Sequence, residues 1–219
     1  MIREERRNEV RLGRKDWEIL MERLVTGLGL FSIVVMLVRF RLLWVMLLAV
    51  ISGAAYDFGS LKTESSALDI LLRISCLYLV TSSSFVGYWY FSPRVVLAVV
   101  VAQLGDACQY FVGQRWPHHK IGWISPNKTY EGYGGGFLLM LCILPVFFPL
   151  LLSILDMPAN MKFSDVLVFY ILSCTSSMYF SLIKRIIKIK DWSDLLGKHG
   201  GLLDRLDSIC LPLLYIYYY

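Results

Sequence analysis

Charge is scarce in this chain. Asp, Glu, Lys and Arg make up 18% of its 219 residues while hydrophobic residues reach 57%, where soluble domains run near a quarter charged and about half apolar. With a mean hydropathy of +0.58, that shortage excludes an ordinary soluble domain and reads as a polytopic membrane protein. Cysteine lacks any pattern: Cys76, Cys108, Cys142, Cys174 and Cys210 fall one apiece in apolar stretches, with no C-x-x-C spacing and no paired His. Neither a metal cage nor a disulfide framework is expected, and the thiols read as small buried hydrophobes. No Pro- or Ser-rich linker, low-complexity tract or internal repeat divides the chain, so one domain is expected. Nor is a cleavable signal peptide, because the first 23 residues are charged and the apolar stretch after them leads directly into a second one.

What is present is a series of apolar segments. They lie at Leu24–Val38, Leu42–Tyr56, Ala67–Phe91, Pro93–Gly113, Tyr133–Leu155, Phe163–Ile183 and Leu202–Tyr219. The expected fold is all-α, a polytopic transmembrane helical bundle of about seven membrane-crossing segments with short cytoplasmic catalytic loops. A charged cytoplasmic or interfacial head covers 1–23, and the integral-membrane domain covers 24–219. The first two segments are short against the ~20 residues a crossing helix needs, so Arg39 and Arg41 snorkel or the pair forms a thin, tilted hairpin.

Orientation follows from the basic residues, which favour the cytoplasmic side. With the N-terminus inside, sixteen of the 22 Lys and Arg lie in inner segments and four, Arg39, Arg41, Arg94 and Lys162, in outer ones. Both polar loops then face the cytoplasm, where nucleotides are, and the sequon Asn127-Lys128-Thr129 lies on the wrong side for glycosylation. Arg73 reads as a snorkelling side chain, and Trp44, Trp89 and Tyr217-Tyr218-Tyr219 as aromatic-belt anchors.

Two stretches break the apolar background. In Gln103–Gly136, Asp106 sits in an otherwise clean transmembrane run, where a carboxylate costs roughly 2.5–3.5 kcal/mol on insertion scales. It needs a cation or a polar cavity. Gln109 shares its helical face, while Gly105 and Gly113 permit close backbone approach. Ser125, Lys128, Thr129 and Glu131 follow, and such a loop can wrap phosphate oxygens. Gly132 and Gly136 fit helix packing as well as phosphate binding. The second stretch, Ser181–Ser208, holds six basic and four acidic residues. Its order is Ser181, Lys184-Arg185, Lys190-Asp191, His199-Gly200-Gly201, Asp204-Arg205, Asp207. Lys188 and Lys198 read as ordinary positive-inside residues, Lys190-Asp191 as either a local ion pair or part of a site, and His118 as a loop residue.

That order resembles the signature of the phosphatidate cytidylyltransferase (CDP-diacylglycerol synthase) family. Gly105-Asp106, Tyr110, Gly113, His119-Lys120, Ser125–Thr129 and Glu131-Gly132 look like the family's other characteristic stretch. Arg23, Thr26 and Gly27, with Ala54-Ala55-Tyr56-Asp57, resemble its N-terminal hairpin. The chain departs from the pattern in a shorter middle and in Ser176-Ser177-Met178-Tyr179-Phe180, where bacterial members typically carry Gly-Asp-Leu-x-Glu. It also has Gly197-Lys198 for Pro-Gly and Gln109 for a small residue. Eukaryotic members lack the same acidic pair, which favours the endoplasmic reticulum or another endomembrane over a bacterial inner membrane.

The resemblance implies cytidylyl transfer from CTP to phosphatidic acid, giving CDP-diacylglycerol and pyrophosphate with Mg²⁺ as cofactor. Asp204 and Asp207, spaced i, i+3 on one helical face, can converge on the cation, with Asp106 as a third metal ligand. Lys184, Arg185 and Arg205 complete the implied catalytic set by neutralising phosphate oxygens. Ser125, Lys128, Thr129, Glu131, Lys190, Asp191, His199, Gly200 and Gly201 are the implied substrate contacts, the last three offering a tight approach to a helix N-terminus. No nucleic acid is expected as a partner, and a homodimer is left open. Two other readings stand beside this one: a related membrane CTP-dependent lipid enzyme, such as an archaeol-phosphate cytidylyltransferase or a polyprenol kinase, and a non-catalytic degenerate paralogue.

Overall fold

A computed structural model describes residues 42–59, 67–122, 124–158, 162–193, 195 and 201–218. The charged head, the segment Leu24–Val38 and the hairpin residues Arg23, Thr26 and Gly27 lie outside the described residues. Among those described, the elements run α1 (Leu43–Gly59), α2 (Ala67–Trp89), α3 (Pro93–Arg115), β1 (Lys120–Ile121), β2 (Ser125–Thr129), α4 (Tyr130–Ile154), α5 (Phe163–Ile186), α6 (Leu203–Leu206) and α7 (Cys210–Tyr218). Leu47–Tyr219 form one compact unit.

Among the described residues four helices, over Asp69–Trp89, Pro93–Arg115, Tyr130–Ile154 and Phe163–Ile186, are long and apolar enough to cross a membrane. Each matches the ~20 residues that cover a hydrocarbon core of ~30 Å, so this is an integral membrane protein. A shorter apolar helix spans Leu43–Asp57. The last expected crossing is not one continuous helix, since α6 ends at Leu206 and α7 starts at Cys210. Carbonyls at the break are taken by other helices: Gln103 Nε2 donates to Arg205 O at 3.4 Å, and the Ser176 hydroxyl donates to Asp207 O. The all-α expectation also needs correcting at 120–129, where β1 and β2 pair antiparallel with Lys120 opposite Thr129. Gly122, at φ +50°, supplies a left-handed residue between the strands.

Local signals explain the ends of the helices. α3 starts at Ser92-Pro93, an extended cap followed by a proline whose missing N–H is harmless in the first turn. Thr129 caps α4 by accepting from Gly132 N at 2.9 Å. α5 closes on Lys188 in the left-handed region, with Ile189 N donating to Lys184 O at 2.9 Å. Inside α2 the polar run Thr81–Ser84 is tolerated because each hydroxyl donates to a carbonyl of its own helix one turn back.

α3 is the most enclosed of the four long helices and packs against α4, α5, α7 and β2. Its contact with α4 is made by glycines: a Cβ at Gly136 would lie 2.7 Å from Gln109 N, and one at Gly132 would lie 2.9 Å from Gln109 O. That settles these two glycines as helix packing. A second cluster joins Ala54 of α1, Cys76 and Val80 of α2, Phe180 and Ile183 of α5, and Trp192, Leu203 and Cys210. Arg73 does not reach outward as expected. It is 5% exposed, because it shares the α2 face of Cys76 and Val80, which point into that cluster. All five cysteines are free thiols; Cys142 is exposed, Cys174 half-buried and the other three buried.

Candidate active site

The C-terminal halves of α3 and α5 bring the two charged stretches together. Asp106 projects from α3, and its Oδ1 accepts from Lys128 Nζ of β2 at 3.1 Å. The same ammonium donates to Ser177 Oγ of α5 at 3.0 Å and to Gln109 Oε1 at 3.4 Å, and lies 5.4 Å from the centre of the Tyr133 ring. Burial works against the charge on Lys128, but Asp106, aided by Tyr133, outweighs it and holds the pKa above the ordinary lysine value. The carboxylate that looked costly in an apolar helix thus has its cation.

The second stretch supplies a more enclosed pair. Lys184 Nζ, at the end of α5, meets Asp204 Oδ1 of α6 at 2.6 Å. Asp204 Oδ2 accepts two backbone N–H groups, from Trp192 and Gly201, both at 2.9 Å. Asp207, one turn on, keeps a helical conformation, so the i, i+3 face expected from spacing is preserved despite the short helix. It lies within electrostatic reach of Lys184, Asp106, Lys128 and Asp204. Charges from both stretches therefore share one neighbourhood.

Arg185 links the stretches by another route. Its guanidinium donates to the backbone carbonyls of Ile124 and Ile189, both at 3.4 Å, so it ties the β hairpin to the end of α5. Thr129 is 3% exposed and its hydroxyl caps α4. Glu131 turns to His119, accepting from that residue's backbone N–H at 3.2 Å and meeting its ring Nδ1. Ser125 sits half-buried in β2. Lys190 and Asp191 are exposed, and among the described residues no ion pair joins them. Arg205 is exposed on α6. Gly201 touches Asp204 through its N–H, while His199 and Gly200 lie outside the described residues.

Several contributors carry no motif letter. Ser177, Ser176 and Gln109 contact Lys128 or the Asp207 backbone, and fully buried Trp192 lends its N–H to Asp204. Ser176 and Ser177 lie in the stretch where bacterial members typically carry Gly-Asp-Leu-x-Glu, with Ser177 at the Asp position, and that departure was the available signal. Gln109 was already marked by its place one turn after Asp106 on the same helical face.

Fold and site together define an integral-membrane protein that gathers lysines and aspartates from separate stretches inside a helical bundle, the equipment for holding phosphate groups. The sequence pattern described as the cytidylyltransferase family matches residues 17–219, and the chain belongs to that family. It is 31% identical over 216 residues to the phosphatidate cytidylyltransferase of Staphylococcus haemolyticus, covering 90% of this chain and 81% of that protein. The phosphatidate cytidylyltransferase of Bacillus subtilis is 32% identical over 126 residues, 57% of this chain and 46% of that protein. A Mycoplasma pneumoniae relative is likewise matched over 50% of its length, so the chain spans about half the length of these last two.

Proposed function

We propose that this chain transfers the cytidylyl group of CTP to phosphatidic acid, giving CDP-diacylglycerol and pyrophosphate. The observation that supports it most is the approach of Lys128 to Ser177, 49 residues away in sequence and one helical turn before the second charged stretch begins at Ser181, which brings the first stretch beside the second. A phosphate oxygen of the lipid attacks the α-phosphorus of CTP. The bond from that phosphorus to its bridging oxygen breaks, and pyrophosphate leaves with the electron pair. A phosphomonoester has a second pKa of about 6, so the nucleophile needs no base. The difficulty is bringing an anion to a polyanion.

Lys128 and Lys184 answer that difficulty as cations aimed at phosphate oxygens, with Arg205 exposed at the rim. Arg185 acts here by fixing the β hairpin that carries Lys128. Carboxylate oxygens are donors that Mg²⁺ takes, and Asp106 and Asp204, both within electrostatic reach of Asp207, are with it the carboxylates that would supply them. In the described residues no three such side chains already surround one point, because Asp106 faces Lys128 and Asp204 faces Lys184. Bound by these aspartates, Mg²⁺ would neutralise charge on the transferring phosphoryl group. The lipid reaches the cluster from the cytoplasmic leaflet, since its acyl chains stay in the bilayer and the nucleotide stays out of it. The relatives named above are bacterial, whereas the endomembrane expectation rests on the absent acidic pair and on Lys188-Ile189-Lys190-Asp191.

Purified protein supplied with CTP, Mg²⁺ and phosphatidic acid should form CDP-diacylglycerol and pyrophosphate in equal amounts. A phosphodiester lipid should be inert, because it lacks the dianionic oxygen. Turnover of archaeol phosphate or a polyprenol in preference to phosphatidic acid would assign another lipid class, and a diester serving equally well would overturn the chemistry.

A further inference from the structure

Asp57 lies in the last turn of α1, far in sequence from both charged stretches, yet it is fully buried. A buried carboxylate is costly unless its oxygens are hydrogen-bonded. Both are: Oδ1 accepts from the Ser193 hydroxyl, and Oδ2 accepts from Leu203 N at 2.8 Å. Ser193 Oγ in turn accepts from Leu195 N at 3.2 Å. The packing around Asp57 is tight. A Cβ on Gly201 would stand 2.5 Å from Asp57 Oδ2, and one on Gly53, a turn earlier in α1, would stand 2.5 Å from a methyl of Leu202.

The partners of Asp57 interleave with those of Asp204. Asp204 Oδ2 binds Trp192 N and Gly201 N, and Asp57 binds their neighbours Ser193 and Leu203. Two carboxylates, one from α1 and one from α6, thus hold the same two segments, Trp192-Ser193 and Gly201–Leu203. With no exposed surface, Asp57 does not touch a substrate. We propose that Asp57 is a positioning residue: it fixes Trp192-Ser193 against Gly201–Leu203 so that α6 presents Asp204 to Lys184 and keeps Asp207 in the cluster. This rests on the transferase reading for its kinetic consequence, though not for its structural one.

The role is one of hydrogen-bond acceptance, which separates it from metal or substrate binding. In Asp57→Asn the amide oxygen can still accept from Leu203 N, and the amide N–H can donate to Ser193 Oγ, so the clasp survives without the charge. Asp57→Ala removes both bonds. In full-length protein, Asp57→Ala should lower kcat by about 100-fold, the scale of a 1 Å misplacement, with KM for CTP and lipid moving less than about threefold. Asp57→Asn should stay within about tenfold of wild type. Amide hydrogen exchange at Trp192, Gly201 and Leu203 should quicken in Asp57→Ala and not in Asp57→Asn. Equal loss of activity in both variants, wild-type kcat in Asp57→Ala, or unchanged exchange at those amides overturns the proposal. Should Asp57→Ala not fold, Ser193→Ala removes one bond to Asp57, together with the one from Leu195 N, and leaves the carboxylate; faster exchange at Trp192 with reduced kcat is expected, and wild-type behaviour in both overturns it. Exchange is read without turnover, so a wild-type protein that makes no CDP-diacylglycerol fails the transferase reading alone.

Discussion

Lys184 and Asp204 meet at 2.6 Å with side chains 11% and 9% exposed, whereas Lys128 and Asp106 meet at 3.1 Å with side chains 25% and 31% exposed. The charges are the same and the surroundings are not. Asp204 is filled by one ammonium and two backbone N–H groups, so it holds the chain together as well as facing the cluster. Lys128 divides itself among Asp106, Gln109 and Ser177, and none of these contacts is to a backbone group, so a phosphate oxygen could share the ammonium with them. One pair is tied into the backbone as well as facing the cluster, and the other is the more exposed. This division is what mutation can test.

Removing Asp204 should have the largest effect. Asp204→Ala leaves Lys184 unpaired in a closed setting and frees two amides, and losing one partner of a buried pair costs about 3–5 kcal/mol. Turnover should fall by on the order of 10³ through loss of a group expected at the metal. Asp106→Ala should also suppress turnover but cost about 1 kcal/mol or less, as befits a more open pair. Denaturation midpoints and turnover of the two variants in the same detergent decide it. Equal loss of stability would erase the distinction.

The lysines should separate next. Lys128→Met ought to raise KM for CTP or phosphatidic acid by roughly tenfold, about 1.4 kcal/mol of binding, with a smaller fall in melting temperature than Lys184→Met because Asp106 is the more exposed carboxylate. Lys184→Met strands the Asp204 carboxylate, so stability and kcat should fall together. A Lys184→Met protein with normal melting and only a raised KM would show that this pair is as open as the other.

Proximity gives a third and smaller readout. In a background with the five native cysteines replaced, Lys128→Cys with Ser177→Cys should be joined by a short bifunctional reagent, since the wild-type side chains touch at 3.0 Å. CTP should protect the pair. Labelling of these positions from opposite sides of a sealed vesicle would separate the two stretches and end the shared-site reading.

Asp106 and the Ser181–Ser208 cluster were legible because a charge in an apolar run is conspicuous and demands a partner. Hydroxyls give no such warning. Thr175 of α5 donates to Ile171 O within its own helix, as Thr81–Ser84 do in α2, whereas the adjacent Ser176 and Ser177 reach across to Asp207 O and Lys128. The letters are alike, and only packing decides which hydroxyls serve the site. Arg185 shows a related limit: a guanidinium suits phosphate and carbonyl oxygens equally, and its contacts with the carbonyls of Ile124 and Ile189 arise only through the tertiary fold. The break between α6 and α7 was hidden because Asp207 and Ser208 lie in a helical pattern that other helices interrupt. Asp57 was visible as the end of an Ala-rich helix, but its partners lie 136 and 146 residues further on, beyond what local spacing can reveal.

The smallest expected effect lies where the hairpin of Lys128 meets α4. Thr129 was expected to contact substrate, and its hydroxyl instead receives Gly132 N at 2.9 Å while 3% of the residue is exposed. If it belongs to the scaffold of the open pair, Thr129→Ala should cost about 1 kcal/mol, the usual worth of an N-cap. Thr129→Ser, which keeps the oxygen, should recover most of that loss. KM for CTP should stay within about twofold in both, because Lys128 retains Asp106 and Ser177 as partners. A KM rise in Thr129→Ala comparable to that of Lys128→Met, with stability unchanged, would return Thr129 to the substrate side and extend the Lys128 half of the site by one residue.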